Sequence, residues 1–69
     1  MHSPIAVMAS RLANDDTVCS EEILEALDYM ERKIQSARDG SKPLPMAAFR
    51  TRSLLSAALR LRQEADHSL

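Results

Sequence analysis

Aromatic residues are almost absent from this chain, which has no tryptophan and only Tyr29 and Phe49 as aromatics. β-Branched residues are also scarce, and a β-sheet core normally depends on both kinds. The apolar residues that remain are mainly leucine, isoleucine, methionine and alanine, which support helices. The composition therefore predicts an all-α fold.

Cysteine and glycine are equally scarce. Cys19 is the only cysteine, so no intrachain disulfide can form and a reducing compartment is expected. Gly40 is the only glycine, which excludes a glycine-rich phosphate-binding loop. Cys19, His2 and His67 follow no catalytic or metal-ligand spacing. We expect no enzyme activity, no cofactor and no metal site.

Length and charge set further limits. A chain of 69 residues forms one small domain, here residues 1–69. Its net charge of −1 gives no general attraction to nucleic acid or anionic membranes. No apolar run approaches the roughly 18 residues that a membrane span needs, and the N-terminal residues lack signal-peptide features. We expect a cytoplasmic protein without a membrane partner.

The first of three predicted helices covers about residues 4–13. Pro4 suits the first helical position, and Asn14 can end the helix. The alternative is a short strand through Ile5, Val7 and Ala9, and the pattern leaves both open. As a helix, the segment presents one apolar face, made by Ile5, Met8, Ala9 and Leu12.

The second predicted helix, residues 20–39, has the clearest signals. Ser20 is a candidate N-cap, with Glu21 and Glu22 at the positive end of the helix dipole. Gly40 stands where a left-handed C-cap belongs. Between these ends runs a regular apolar seam, made by Ile23, Leu27, Met30, Ile34 and Ala37.

The third predicted helix spans about residues 45–66, and Pro45 opens it at its first position. Its seam is made by Ala47, Leu54, Ala58, Leu61 and Ala65, and Ala48, Leu55 and Leu59 widen one flank. This apolar arc is wider than one neighbouring helix covers, which indicates a second contact surface. The N-terminal segment could supply part of that surface, and a second copy of the chain the rest. We therefore expect an antiparallel two-helix hairpin with a short N-terminal helix or strand, packed as a homodimeric helical bundle. The predicted core and dimer residues are Ile23, Leu27, Met30, Ile34, Leu54, Leu55, Ala58, Leu59 and Leu61.

Both aromatics fall away from these seams at helical spacing. Tyr29 lies among charged residues that include Arg32 and Lys33, and Phe49 lies beside Arg52 and Arg60. Aromatic residues and arginine are enriched at the energetic centres of protein interfaces. The predicted partner-binding residues are Tyr29, Phe49, Arg52, Arg60 and Arg32. The alternative is that Tyr29 or Phe49 packs in the dimer interface or against the N-terminal segment.

The charges of the two long helices are polarised. The middle helix is acidic, whereas the last helix is basic through Arg50, Arg52, Arg60 and Arg62. These arginines could bind phosphates, so the alternative function is a small DNA-binding repressor or an antitoxin-like regulator. The nearby acids oppose phosphate binding, and we do not expect nucleic acid as the partner.

The segments "SEEILEALDYMERKIQSARDG" and "LPMAAFRTRSLLSAALRLRQEAD" give the chain a resemblance to the small anti-activators of quorum sensing encoded by Pseudomonas phages. The resemblance lies in length, two-helix layout and residue style. It implies a helical dimer, made early in infection, that binds a host transcriptional activator of the LuxR type and blocks its access to DNA. It also implies binding to the ATPase that drives pilus assembly.

Overall fold

The computed structural model describes residues 4–43 and 45–67, which form three helices: α1, Pro4–Ala13; α2, Ser20–Asp39; and α3, Met46–His67. His2 and the side chain of His67 lie outside the described part. The described residues contain no strand, which confirms the all-α prediction. The strand alternative for the first segment is wrong, because its apolar residues cover a neighbouring helix at helical spacing.

Helix α3 lies at the centre of the fold. Both α1 and α2 pack against α3, and within the described chain α1 makes no close backbone contact with α2. Near the start of α1, Pro4 and Met8 share a cavity wall with Ala47 and Leu54 of α3. The docking of α1 therefore depends on α3 and on the loop between α1 and α2.

The core is small and depends heavily on alanine. Ile23 and Ile34 from α2 and Leu55 from α3 are its large buried residues. Ala9 and Ala58 are fully buried, and Ala48 is nearly so. Small side chains at these positions let the helices approach closely, so the core has little room for larger residues.

The buried face of α3 is rotated from the predicted seam. Ala48, Leu55 and Ala58 are buried, whereas Ala47 and Ala65 of the predicted seam are exposed. The prediction erred because α2 and α1 cover adjoining sectors of α3, which moves the centre of burial toward the flank. Of the predicted core residues, Leu27, Met30, Leu54 and Leu59 are half-buried, and Leu61 is 39% exposed.

The start of α2 also differs from the prediction. Cys19 occupies the N-cap position with extended backbone, and Ser20 is the first helical residue. The Cys19 thiol donates to the Glu22 carboxylate at 3.4 Å, across the spacing that a capping box uses. Ser20 is not the cap, because it lies within the helix; its hydroxyl accepts a hydrogen bond from Arg62 of α3.

The end of α2 is closed by a Schellman motif one residue later than predicted. Gly40 has φ −86°, and Ser41 instead takes the left-handed conformation, with φ 54°. The Ser41 amide donates to the Arg38 carbonyl at 3.1 Å, and the Lys42 amide donates to the Ala37 carbonyl at 2.9 Å. The prediction that Gly40 is the left-handed residue is wrong.

Helix α3 begins at Met46, one residue after the predicted start, and extends to His67. The Pro45 carbonyl accepts the first helical hydrogen bonds, from Ala48 at 3.0 Å and from Phe49 at 3.4 Å. Pro45 therefore precedes the first turn of the helix instead of forming part of it. None of the described helices combines the length and the apolar character needed to cross a membrane.

Candidate functional site

Tyr29 lies on the solvent-facing side of α2, with 58% of its surface exposed. The Lys33 ammonium lies 5.8 Å from the centre of its ring, one helical turn along. This is within the range of a cation–π contact, which holds the lysine stem against the ring. The pair presents a flat aromatic surface with a positive charge at its edge.

Arg32 is on the same side of α2 and pairs with Asp28. The Arg32 Nη2 to Asp28 Oδ2 distance is 2.9 Å, and both side chains are largely exposed. An exposed pair at this helical spacing contributes about 0.3–0.5 kcal/mol, so water and partners can compete for it. Arg32 is thus oriented by Asp28 without being buried.

Tyr29 forms part of a concave surface that we call the Tyr29 cleft. It is an open depression of about 600 Å³ where the second half of α2 meets the connection to α3. Its wall combines apolar groups with three cations and no acid. The lining residues are Tyr29, Arg32, Lys33, Ser36, Ala37, Lys42, Pro43 and Pro45.

Phe49 occupies a different position on α3. It is half-buried, and the Arg52 guanidinium carbon lies 5.2 Å from its ring centre. Arg52 is also half-buried, so the two side chains cover one another. Arg60, two turns further along α3, is exposed. The predicted partner-binding residues therefore form one pair around Tyr29 and another around Phe49, with Arg60 apart from both.

Arg62 has a structural role that sequence reasoning missed. Its guanidinium donates five hydrogen bonds across to the end of α1 and the loop that follows. The distance is 2.7 Å to Val18 and 3.1 Å to each other acceptor. Two acceptors lie at the end of α1, where carbonyls lack helical partners. The acceptors are the carbonyls of Leu12, Ala13, Asp15 and Val18 and the hydroxyl of Ser20.

The same loop contains an aspartate turn. The Asp15 carboxylate accepts hydrogen bonds from the Thr17 hydroxyl at 2.6 Å and the Thr17 amide at 2.9 Å. These two bonds lower the pKa of Asp15 from its ordinary value of 3.8, desolvation opposes them, and the Arg62 charge assists. Asp15 and Arg62 together fix the path of the chain between α1 and α2.

Lys42 is the cleft residue that the sequence pattern did not reveal. Lys33 and Ser36 follow Tyr29 at helical spacing, so a helical wheel already places them beside it. Lys42 joins them only because the Schellman motif turns the chain back at Ser41. The helical spacing of the sequence does not include Lys42, because its position depends on the geometry of the turn at Ser41.

The side chains that could act as a nucleophile or as metal ligands are dispersed over the described residues. Cys19 is exposed and contacts Glu22, at one end of the molecule. Within residues 4–43 and 45–67, no three histidine, cysteine, aspartate or glutamate residues are grouped so as to hold a metal ion.

Comparisons with known proteins give no relative. No protein-family model, curated protein or solved structure matches the chain.

Proposed function

We propose that this chain is a non-enzymatic inhibitor that acts by binding a regulatory protein of its host. The observation that carries the proposal is the position of the aromatics. Tyr29 is exposed, Phe49 is only half-buried, and each has a cation against its ring. Neither is among the fully buried core residues.

This combination suits a protein partner. An aromatic ring with an adjacent cation offers apolar area and charge together, and both types recur at interface hot spots. The contact of each ring with its cation restrains the side chain before binding, so less conformational entropy is lost on complex formation. Tyr29 and Phe49 are the proposed anchors, with Arg32, Arg52 and Arg60 as flanking charges.

The resemblance to phage anti-activators gives the proposal its specific form. The target is a LuxR-type quorum-sensing activator in the host cytoplasm, and binding blocks its access to DNA. The pilus assembly ATPase is a second target. The activator could be masked sterically, or the acidic N-terminal half of α2 could imitate the charge of DNA. Charge imitation predicts salt-sensitive binding, so affinity that stays constant from low to high salt would exclude it.

A homodimeric bundle built on a hairpin of α2 and α3 is part of the proposal. Met8, Leu24 and Leu61 are large apolar side chains that the single chain leaves substantially exposed. A small domain with a core rich in alanine gains stability by covering such residues with a second copy. Sedimentation equilibrium tests this: Leu61→Glu should yield a folded monomer, and Val7→Glu on α1 serves as the control.

DNA binding is the competing function, and the structure weakens its basis. The Arg62 guanidinium is engaged by acceptors within the chain, and Arg52 lies against Phe49. Arg50 and Arg60 remain as exposed cations of α3. A gel-shift experiment with duplex DNA at physiological salt tests this function, and clear binding would favour it over the protein inhibitor.

Affinity capture from host lysate tests the main proposal. Immobilised wild-type protein should retain a stoichiometric regulatory protein, whereas Tyr29→Ala or Phe49→Ala should lose it while keeping wild-type helicity. Val7→Ala truncates another exposed apolar residue and should retain the partner. Absence of any stoichiometric partner of the wild-type protein would contradict the proposal.

A further inference from the structure

We propose that the Tyr29 cleft binds an acidic segment of a partner protein. This inference rests on the proposed function and deepens it, because it names the chemistry of what is bound at Tyr29. It follows from the charge on the cleft wall, from its mixture of apolar and cationic groups, and from the acids that border it.

The first observation is that the cleft lining is positively charged, whereas the chain as a whole is slightly negative. Arg32, Lys33 and Lys42 line the cleft, although the chain carries a net charge of −1. Arg32 is paired with Asp28, and Lys33 lies against the Tyr29 ring. Lys42 makes no ion pair within the described residues. The cleft therefore has unbalanced positive charge for an anionic ligand.

The second observation is the apolar part of the wall. More of the cleft wall is hydrocarbon than polar, and the hydrocarbon part comes from Tyr29, Ala37, Pro43 and Pro45. Pro43 and Pro45 have fixed backbone φ angles, which stiffens this wall. A peptide can place carboxylates against the cations and an apolar side chain against the ring, whereas a simple inorganic anion can use only the charge.

The third observation distinguishes a peptide from a nucleic acid. Glu25 lies one turn before Tyr29 on the same side of α2, and Asp28 is beside Arg32. A nucleic-acid strand that extended beyond the cleft would bring its next phosphates toward these acids. A short acidic segment can end within the 600 Å³ cleft. The limited extent of the positive surface thus favours a peptide.

Lys42 allows a clean test because its backbone and side chain have separate roles. Its amide closes the Schellman motif, so exchange of the side chain leaves that hydrogen bond in place. Lys42→Glu reverses one cleft charge. Arg11→Glu changes the net charge equally, at an exposed site on α1 outside the cleft lining.

The experiment measures binding of short synthetic peptides to the full-length protein by fluorescence anisotropy and amide NMR shifts. The probes are an acidic peptide of alternating glutamate and leucine, its glutamine counterpart, and a single-stranded DNA of similar length. The acidic peptide should shift the amides of residues 29–43 and bind less tightly when salt rises from about 50 to about 300 mM. Lys42→Glu should weaken its binding about tenfold, and Arg11→Glu should have little effect.

The opposite results overturn the inference. These are equal binding of the glutamine peptide, tighter binding of DNA than of the acidic peptide, or equal losses of affinity in Lys42→Glu and Arg11→Glu. Affinity capture gives an independent result for the proposed function. Partner capture without acidic-peptide binding leaves the proposed function standing and removes only the acidic-segment inference.

Discussion

Replacement of Arg62 should detach α1 from the rest of the protein. In Arg62→Met the aliphatic stem is preserved and the guanidinium is lost. The Ala13 and Val18 carbonyls then lose the donor that Arg62 supplies, whereas the Leu12 and Asp15 carbonyls keep a backbone hydrogen bond. Helix α1 packs on α3 and makes no close backbone contact with α2, so the Arg62 hydrogen bonds are the polar contacts that tie its C-terminal end to α3.

The loss of stability in Arg62→Met can be worked out from the partly buried hydrogen bonds of Arg62. The bonds to Leu12, Ala13 and Val18 are partly buried, and the other two are exposed. If each partly buried bond contributes about 1 kcal/mol and the exposed bonds contribute little, the free energy of unfolding falls by about 3 kcal/mol. A domain of this length has only about 3–10 kcal/mol in total. The Tm should fall by about 12–24 °C.

Thermal unfolding followed by circular dichroism measures this loss, at one fixed protein concentration because a dimer would make Tm depend on concentration. Arg60→Met is the matched control: it removes an exposed arginine from the same helix and should cost less than about 0.5 kcal/mol. Hydrogen exchange should show that α1 loses protection first in Arg62→Met. A Tm within about 3 °C of wild type would refute the assigned role of Arg62.

Four further predictions concern the turns and the core. Gly40→Ala should stabilise the protein by about 0.5–1 kcal/mol, because its backbone suits alanine and the added Cβ would meet neighbours at 3.4 Å or more. Ser41→Gly should give a similar gain in stability, because glycine adopts the left-handed conformation without strain. If chemical denaturation showed that either variant is less stable than wild type, the cap geometry would be contradicted. Asp15→Asn should destabilise the protein above pH 3.8, and its difference from wild type should shrink as pH falls through the lower folded pKa. If the stability difference between Asp15→Asn and wild type, measured by thermal melts at several pH values, did not change with pH, that linkage would be excluded. Ala58→Leu should cost about 1–3 kcal/mol in urea unfolding through overpacking, and an unchanged midpoint would show that the site has space.

The helices themselves could be predicted because their signals are local. The apolar spacing from Ile23 to Ala37 lies within one helix and needs no information about the fold. The displacement of Tyr29 from this seam follows from the same spacing, and the structure shows Tyr29 to be exposed. Local pattern was therefore sufficient for the two long helices and for the aromatic at the centre of the candidate site, whereas it left the first segment open between a helix and a strand.

The caps and the buried face of α3 could not be predicted because they depend on more than residue type. Glycine is preferred in the left-handed position, but Gly40 is the C-cap with φ −86° and Ser41 takes the left-handed conformation instead. On α3, burial follows from two neighbours that cover adjoining sectors, which periodicity alone does not reveal. Ala48 is therefore buried where Ala47 was expected.

The role of Arg62 was beyond sequence reasoning for a different reason. Its acceptors lie more than 40 positions earlier in the chain, and most are backbone carbonyls, which every residue has. No residue type therefore marks them in the sequence. On the sequence alone Arg62 looks like the other arginines of α3, and only the fold separates it from them.

Competition with operator DNA tests the proposed inhibitor function most directly. Fluorescence anisotropy of labelled operator bound to a purified LuxR-type activator would be followed as this protein is added. We predict that the wild-type protein releases the DNA, that Tyr29→Ala releases it poorly, and that Val7→Ala behaves as wild type. An activator–DNA complex that stays intact in a large excess of folded wild-type protein would contradict the proposed function.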